Sequence, residues 1–222
     1  MYDPWRYALT MYPWGRSGTP YANWPDGPDL WQATVLRDIG AHMLAVATGQ
    51  TPDRTTQVAV RSGHGIGKSW LIQLIIQWFL STRSNPQIVV TAGTKTQLET
   101  KLWRELNKNY THALNGHWFE WSATSFRLKG EGHLWAANAI PWSRDNPAAF
   151  QGTHEQDVLF VYDEASAIHD DIWQASEGAF TTPGGLWIAF GNPTVETGRF
   201  ADCFTRFRHR WLTYTIDSRT TK

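Results

Sequence analysis

Thr56-Gln57-Val58-Ala59-Val60-Arg61-Ser62-Gly63-His64-Gly65-Ile66-Gly67-Lys68-Ser69 is the stretch on which the fold turns. Its first six residues are short and β-rich, and read as a strand. A glycine-rich turn follows, and then an apolar helical segment from about Lys68 to Ser81. Strand, glycine-rich turn and helix form the context that a phosphate-binding loop requires. Glycines let the backbone wrap a phosphate with its N–H groups pointing inward. The helix N-terminus adds partial positive charge at the same place. Lys68 can then reach the outer phosphates, and the Ser69 hydroxyl can ligate Mg2+. One position departs from the usual pattern: Ser62 stands where the first glycine is expected. A dinucleotide fingerprint is disfavoured, because its third glycine would fall at Lys68.

About 95 residues further on, Val158-Leu159-Phe160-Val161-Tyr162 is an apolar strand that ends in Asp163-Glu164. Adjacent carboxylates at the end of a buried strand carry a desolvation cost. A metal and phosphate site offsets that cost, with Asp163 holding Mg2+ and Glu164 polarising the attacking water. A third apolar strand, Leu186 to Phe190, runs into Gly191-Asn192-Pro193. An amide at the end of a parallel strand sits at the crevice where such sheets bind ligands, so Asn192 could sense a γ-phosphate or its water, although taken alone the segment reads as a plain Asn-Pro turn. No guanine-reading Asn-Lys-x-Asp is present; Asn107-Lys108-Asn109-Tyr110 is not one.

Further elements fit an α/β chain. Leu30 to Ala47 is helical, with Trp31, Val35, Ile39 and Met43 at helical spacing after Pro28-Asp29. Ile88 to Ala92 is a buried strand, and Thr96 to Tyr110 an amphipathic helix. Ser125–Lys129 and His133–Ile140 flank Gly130-Glu131-Gly132 as a hairpin, and His209 to Ile216 is a last strand. Strands alternating with helices predict a mainly parallel sheet covered on both faces. Residues 1–29, rich in Pro, Gly, Tyr and Trp, read as an irregular arm before a domain over 30–222.

With 222 residues the chain can bury a core without disulfides, and its one cysteine, Cys203, cannot form one internally. The longest apolar stretch, broken by Gln73 and Gln77, is too short to span a bilayer. The N-terminus lacks the charged-then-apolar order of a signal peptide. Composition therefore excludes a disulfide scaffold, a membrane protein and a disordered tail. The 20 basic and 20 acidic residues cancel but are segregated: Asp145 to Glu196 holds nine acids and no Lys or Arg. Such asymmetry suggests an anionic partner on one surface.

Together these motifs resemble the ATPase domain of the large terminase subunit, the DNA-packaging motor of tailed bacteriophages and prophages. The resemblance runs over roughly Trp24 to Asp217. Arg61 to Ser69 is similar to that family's Walker A, Val158 to Glu164 to its Walker B with catalytic glutamate, and Gly191-Asn192-Pro193 to its coupling motif. It implies an α/β P-loop NTPase of the RecA-like (ASCE) type, a three-layer α-β-α sandwich that binds ATP and Mg2+ through residues 61–69 and Asn192. It also implies that Gln32 contacts adenine, and that an arginine acts in trans on a neighbour's ATP. Where relatives carry Arg-Gly, this chain has Gln151-Gly152, so Arg144 is the substitute candidate and Arg127 the second. His64 stands where some relatives have a basic loop residue. The implied partners are double-stranded DNA, a portal protein, a small terminase subunit and further copies in a ring, in the host cytoplasm and with no membrane. Arg199, Arg206, Arg208 and Arg210 form a basic cluster at the C-terminal end. Full-length members continue into an RNase-H-like nuclease. With the chain ending at Lys222, the expectation is a motor domain alone or part of a split protein. Two other functions fit the same pieces: a helicase-like motor, or a nucleotide-dependent assembly module without turnover.

Overall fold

In the computed structural model, which describes residues 2–131, 134–145, 147–150, 157–180 and 183–221, the strand leading into the phosphate loop is β1 (Thr55–Ser62). The remaining strands are β2 (Gln87–Ala92), β3 (Phe119–Trp121), β4 (Ser125–Leu128), β5 (Ala136–Ala139), β6 (Val158–Asp163), β7 (Gly185–Gly191) and β8 (Leu212–Ile216). They form a single sheet in the order β3-β4-β5-β2-β6-β7-β1-β8. The strands from β5 to β8 in this order pair in parallel; β3 and β4 extend the edge antiparallel. The acidic strand β6 is not the neighbour of β1. β7 lies between them, so all three chemistry-bearing strand ends meet side by side at one edge of the sheet.

The pleat sends alternate residues to opposite faces, which explains why the central strands are apolar throughout. Val58 and Val60 of β1 and Leu159 and Val161 of β6 join one core, with Leu71 and Ile75 of α3 (Lys68–Thr82) and Val35 and Ile39 of α2 (Leu30–Ala47). Ala59, Phe160, Tyr162 and Trp187 join the second core with Ile172 and Trp173 of α5 (Asp170–Glu177). The sheet is thus the middle of three layers, a RecA-like arrangement. On the second face only α5 and α6 (Arg199–Asp202), eight and four residues long, supply helix among the described residues. Large rings fill the space there: Trp187 lies 5.2 Å from Trp173 and 5.5 Å from Trp211, centroid to centroid. That packing accounts for part of the high tryptophan count.

Contrary to the sequence reading, the N-terminal stretch is not irregular throughout. Pro4–Met11 is helix α1, started by Asp3, whose carboxylate accepts from the Arg6 N–H at 2.8 Å. Pro4 reads as a breaker in isolation but is compatible with the first helical turn. The segment also covers α3, which is apolar nearly all round and needs burial on both sides. Tyr12 is buried with its hydroxyl 3.1 Å from Gln73 Oε1 and 2.9 Å from Gln77 Oε1. The two glutamines that interrupt the apolar run are therefore satisfied inside the protein.

Three other expectations change in detail. The Thr96–Tyr110 helix opens as a π-helix over Gln97–Leu102 and continues as α4 (Trp103–Asn109). The last strand starts at Leu212, after a 3-10 turn at Arg208–Arg210. The hairpin of β4 and β5 is present, with β3 added outside it; Gly132 and His133 of its expected loop and strand lie outside the described residues. Among the described residues no helix is long and apolar enough to cross a membrane.

Tyr12→Phe removes the hydroxyl shared by the two glutamine oxygens; Gln77 Oε1 keeps the Gln73 amide as a donor, and the buried Gln73 Oε1 is left without one. The expected loss is about 1–2 kcal/mol in denaturant unfolding. An unchanged midpoint would show that the N-terminal segment is not integral to the core.

Candidate nucleotide site

Ser62 is still strand: it pairs with Ile216 of β8, and its hydroxyl donates to Gly63 O at 3.1 Å. The missing glycine therefore costs nothing, because the turn begins after it. Gly65 (φ +77°) and Gly67 (φ +84°) take the left-handed backbone that the loop needs. Gly67 caps α3, and a Cβ there would sit 2.7 Å from Gln32 Nε2. Ile66 anchors the loop in the core. Lys68 is buried, and its ammonium donates to Gly63 O and to Asn192 Oδ1, each at 3.1 Å. The Asn192 amide in turn donates to His64 Nε2 at 2.9 Å. The loop after β1 and the end of β7 are thereby tied together by a Lys68–Asn192–His64 chain.

Asp163 closes β6 beside them. Its Oδ1 is sealed from solvent and has no hydrogen-bond partner. Burial pushes its pKa up to about 6, the Glu164 charge adds to the rise, and Lys68 opposes it. Glu164 takes a left-handed backbone at φ +48°, unusual for a residue with a side chain. It turns the chain from the strand into a 3-10 turn at Ala165–Ala167. Gly93, just past β2, makes room: a Cβ there would lie 3.2 Å from Glu164 Cβ. His64, Lys68, Ser69, Asp163, Glu164 and Asn192 border one cavity of about 620 Å³. The same cavity is also lined by Gln97, Lys101 and Glu105 from the π-helix and α4. The unpartnered Asp163 oxygen and the Ser69 hydroxyl on the same cleft are hard oxygen donors, the type Mg2+ takes.

A second cavity, of about 240 Å³, adjoins the first and shares Gly65, Gly67, Trp70 and Asn109 with it. Trp14, Tyr21, Trp24 and Trp70 give it aromatic walls, three of them from the segment expected to be an arm. The sequence reading missed these rings. Their density before the first helix was the available signal.

Gln32 borders this second cavity but has both amide ends engaged. Its Oε1 accepts from the Asp29 N–H at 3.1 Å in a capping box, and its Nε2 donates to Gly67 O at 3.1 Å. Gln32 thus holds the phosphate loop while bordering the second cavity. Arg61 is not brought to the site: its guanidinium donates to Thr215 Oγ1 at 2.7 Å and lies over the Phe204 ring at 4.6 Å. The pleat turns it towards β8, away from the loop it precedes. Arg144 is exposed and lines neither cavity. It follows β5 at the same sheet edge, where the Trp142 indole donates to Gly93 O at 3.1 Å. Arg127 pairs with Glu120 at 2.6 Å. Gln151 and Gly152 lie outside the described residues. Within the C-terminal basic cluster, Arg199 and Arg210 are both paired with Glu177, while Arg206 and Arg208 are exposed.

No family profile matches the chain. In sequence it is 26% identical over 158 residues to the protein named "Probable terminase, large subunit" of Enterobacteria phage P7. That match covers 68% of this chain and 32% of the relative, so the chain spans about a third of the relative's length. In fold it is similar to the large terminase of bacteriophage HK97, with a TM-score of 0.63 at 16% identity, covering 97% of this chain and 44% of that one. The large terminase of a thermophilic bacteriophage, solved in complex with ADP, gives a TM-score of 0.55 at 12% identity, over 79% and 44% of the two chains. The resemblance carried by the motifs therefore extends to sequence and to fold.

The raised Asp163 pKa has a thermodynamic consequence. Its folded value, about 6, lies above the ordinary 3.8, so between these values the folded state holds more protons than the unfolded one. Stability falls as pH rises through that window, and the penalty persists above it. With divalent cations chelated, Asp163→Asn is expected to raise stability near neutral pH by roughly 2 kcal/mol. The gain should vanish below the ordinary carboxylate range. Thermal melts of both proteins across pH check this, and a variant that melts lower at neutral pH contradicts it.

Proposed function

We propose that this chain is the ATP-hydrolysing motor domain of a tailed-phage DNA-packaging terminase, coupling hydrolysis to movement of double-stranded DNA into a procapsid. The observation that carries the reading is the convergence of Lys68, Asn192, Asp163 and Glu164, from three separate strand ends, on one cleft. The backbone N–H groups of residues 63–69 and the N-terminus of the fifteen-residue α3 would cradle the phosphates. Lys68 would exchange Asn192 Oδ1 for a phosphate oxygen. The base would enter the aromatic cavity, where Trp14, Tyr21, Trp24 and Trp70 offer ring faces.

Asp163 and Ser69 would hold Mg2+, which when bound neutralises phosphate charge. Glu164 would orient water for in-line attack, and catalysis is then mainly positioning and charge stabilisation. Its left-handed backbone turns the chain at the end of β6, with its Cβ beside Gly93. Loss of the γ-phosphate would let Lys68 return to Asn192, and the Asn192–Pro193 segment would report it. DNA would be gripped through its backbone, since a packaging motor must ignore sequence, and binding should weaken with salt. Arg206 and Arg208 are exposed C-terminal candidates for that contact, and Arg144, also exposed, would act on a neighbouring copy. The remaining partners of this reading are a portal protein, a small terminase subunit and a ring of copies, in the host cytoplasm.

Phosphate release with Mg2+, and with DNA and portal added, tests the activity. Glu164→Gln is expected to cut turnover by roughly 10²- to 10⁴-fold while ATP still binds. Lys68→Ala is expected to lose ATP affinity. Equal background rates in wild type and Glu164→Gln, with ATP bound in both, would leave only a nucleotide-dependent assembly module.

A further inference from the structure

The cleft has a second wall. Besides the phosphate loop and the ends of β6 and β7, the π-helix Gln97–Leu102 and the start of α4 bring Gln97, Lys101 and Glu105 to the same cavity as Lys68, Asp163 and Glu164. Their origin fits the topology. β2 neighbours β6, so the chain leaving β2 must cross in front of the Asp163–Glu164 end. It does so through Gly93, whose missing Cβ leaves the Glu164 and Gln97 side chains close together. A π-helix is a poorly bonded geometry that proteins keep mainly where a side chain has to be aimed.

The charges on this segment are distributed unevenly. Lys95 pairs with Glu99 at 3.8 Å, and Lys108 pairs with Glu105. Lys101 stands between those two acids, yet among the described residues it pairs with no carboxylate. Its side chain is exposed and borders the cleft. A lysine that leaves two nearby glutamates to other partners is available for an anion that comes and goes. The cleft also lacks positive charge for the reaction proposed above. Arg61 is held by Thr215, Arg144 does not line the cavity, and Lys68 is the other Lys or Arg among the described lining residues.

We infer that Lys101 is a cis-acting cation that binds the γ-phosphate end of the nucleotide from the π-helix that lines the cleft it shares with Lys68. The inference rests on the ATPase reading and adds a residue to it. In phosphoryl transfer, charge spreads over the equatorial oxygens of the transferred group, so a cation reaching them from the open side stabilises the transition state more than the ground state. Lys68 approaches from the loop side, Lys101 from the π-helix, and the nucleotide closes the gap between them. ADP, lacking the γ-phosphate, does not reach Lys101. Exposure of Lys101 is consistent with this, since an ammonium can wait in water at little cost and be desolvated only when its anion arrives.

The test compares Lys101→Ala, Lys101→Arg and wild type in the full chain, using a non-hydrolysable ATP analogue, ADP and steady-state phosphate release. For Lys101→Ala, affinity for the analogue and kcat should each fall by roughly 10- to 100-fold, with ADP affinity within about two-fold of wild type. Lys101→Arg should recover much of both. A purely structural role would weaken analogue and ADP alike or lower the melting temperature, and would overturn the inference. So would analogue affinity and kcat unchanged by Lys101→Ala. Wild type that binds neither nucleotide would instead overturn the ATPase reading, and Lys68→Ala serves as the control that separates the two failures.

Discussion

A buried ammonium with only neutral partners organises this molecule. Lys68 donates to a backbone carbonyl and to an asparagine amide, while a few side chains away Asp163 keeps an oxygen with no donor at all. Neither arrangement is one that a protein holds for stability. Desolvating a charge costs several kcal/mol unless it is paired, and the two opposite charges here are not in direct contact. Packing elsewhere offsets the cost: parallel strands sealed on both faces by apolar side chains, and a helix α3 covered even on its outer side by α1 and Tyr12. What the strain keeps available is a gap of opposite polarity, in which an anion and a cation can be bound together.

The central strands, the hairpin and the loop-to-helix junction were legible in the sequence because each depends on local pattern. Continuous apolar runs make buried parallel strands, and the glycine-rich turn running into the apolar segment after Lys68 marks the strand-to-helix junction. The carboxylate pair and Asn192 were legible for the same reason: each lies just past an apolar strand, and strand ends are where such sheets bind. What the sequence hid was tertiary in origin. Pro4, Tyr12 and the Trp-rich turns look like loop chemistry, and only the apolar outer face of α3 makes them part of the core. Arg61 precedes the phosphate loop, but strand alternation points it at β8. Gln32 looks like an ordinary helix residue or a reader of adenine, while its neighbours recruit both ends of its amide. The left-handed backbone of Glu164 has no local signature, since the space beside it is left by Gly93, just past another strand.

The same contacts suggest how the two halves of a nucleotide would be read together. Gln32 joins the α2 cap to Gly67 O, so the aromatic cavity and the phosphate loop share one amide. Asn192 joins that loop to the end of β7 through both Lys68 and His64. One residue earlier, Gly191 is packed so tightly against Phe200 of α6 that a Cβ would fall 2.7 Å from the ring. α6 begins at Arg199, which is bonded to Asp170 and Glu177 at the start and end of α5. A shift of Asn192 on losing its hold on Lys68 would therefore pass through Gly191 to α6, with little slack, because close-packed contacts transmit displacement where loose ones absorb it. The C-terminal arginines lie just beyond. In the motor proposed above, the tightness at Gly191 would make the end of β7 the place where binding at one edge of the sheet becomes motion at its outer face.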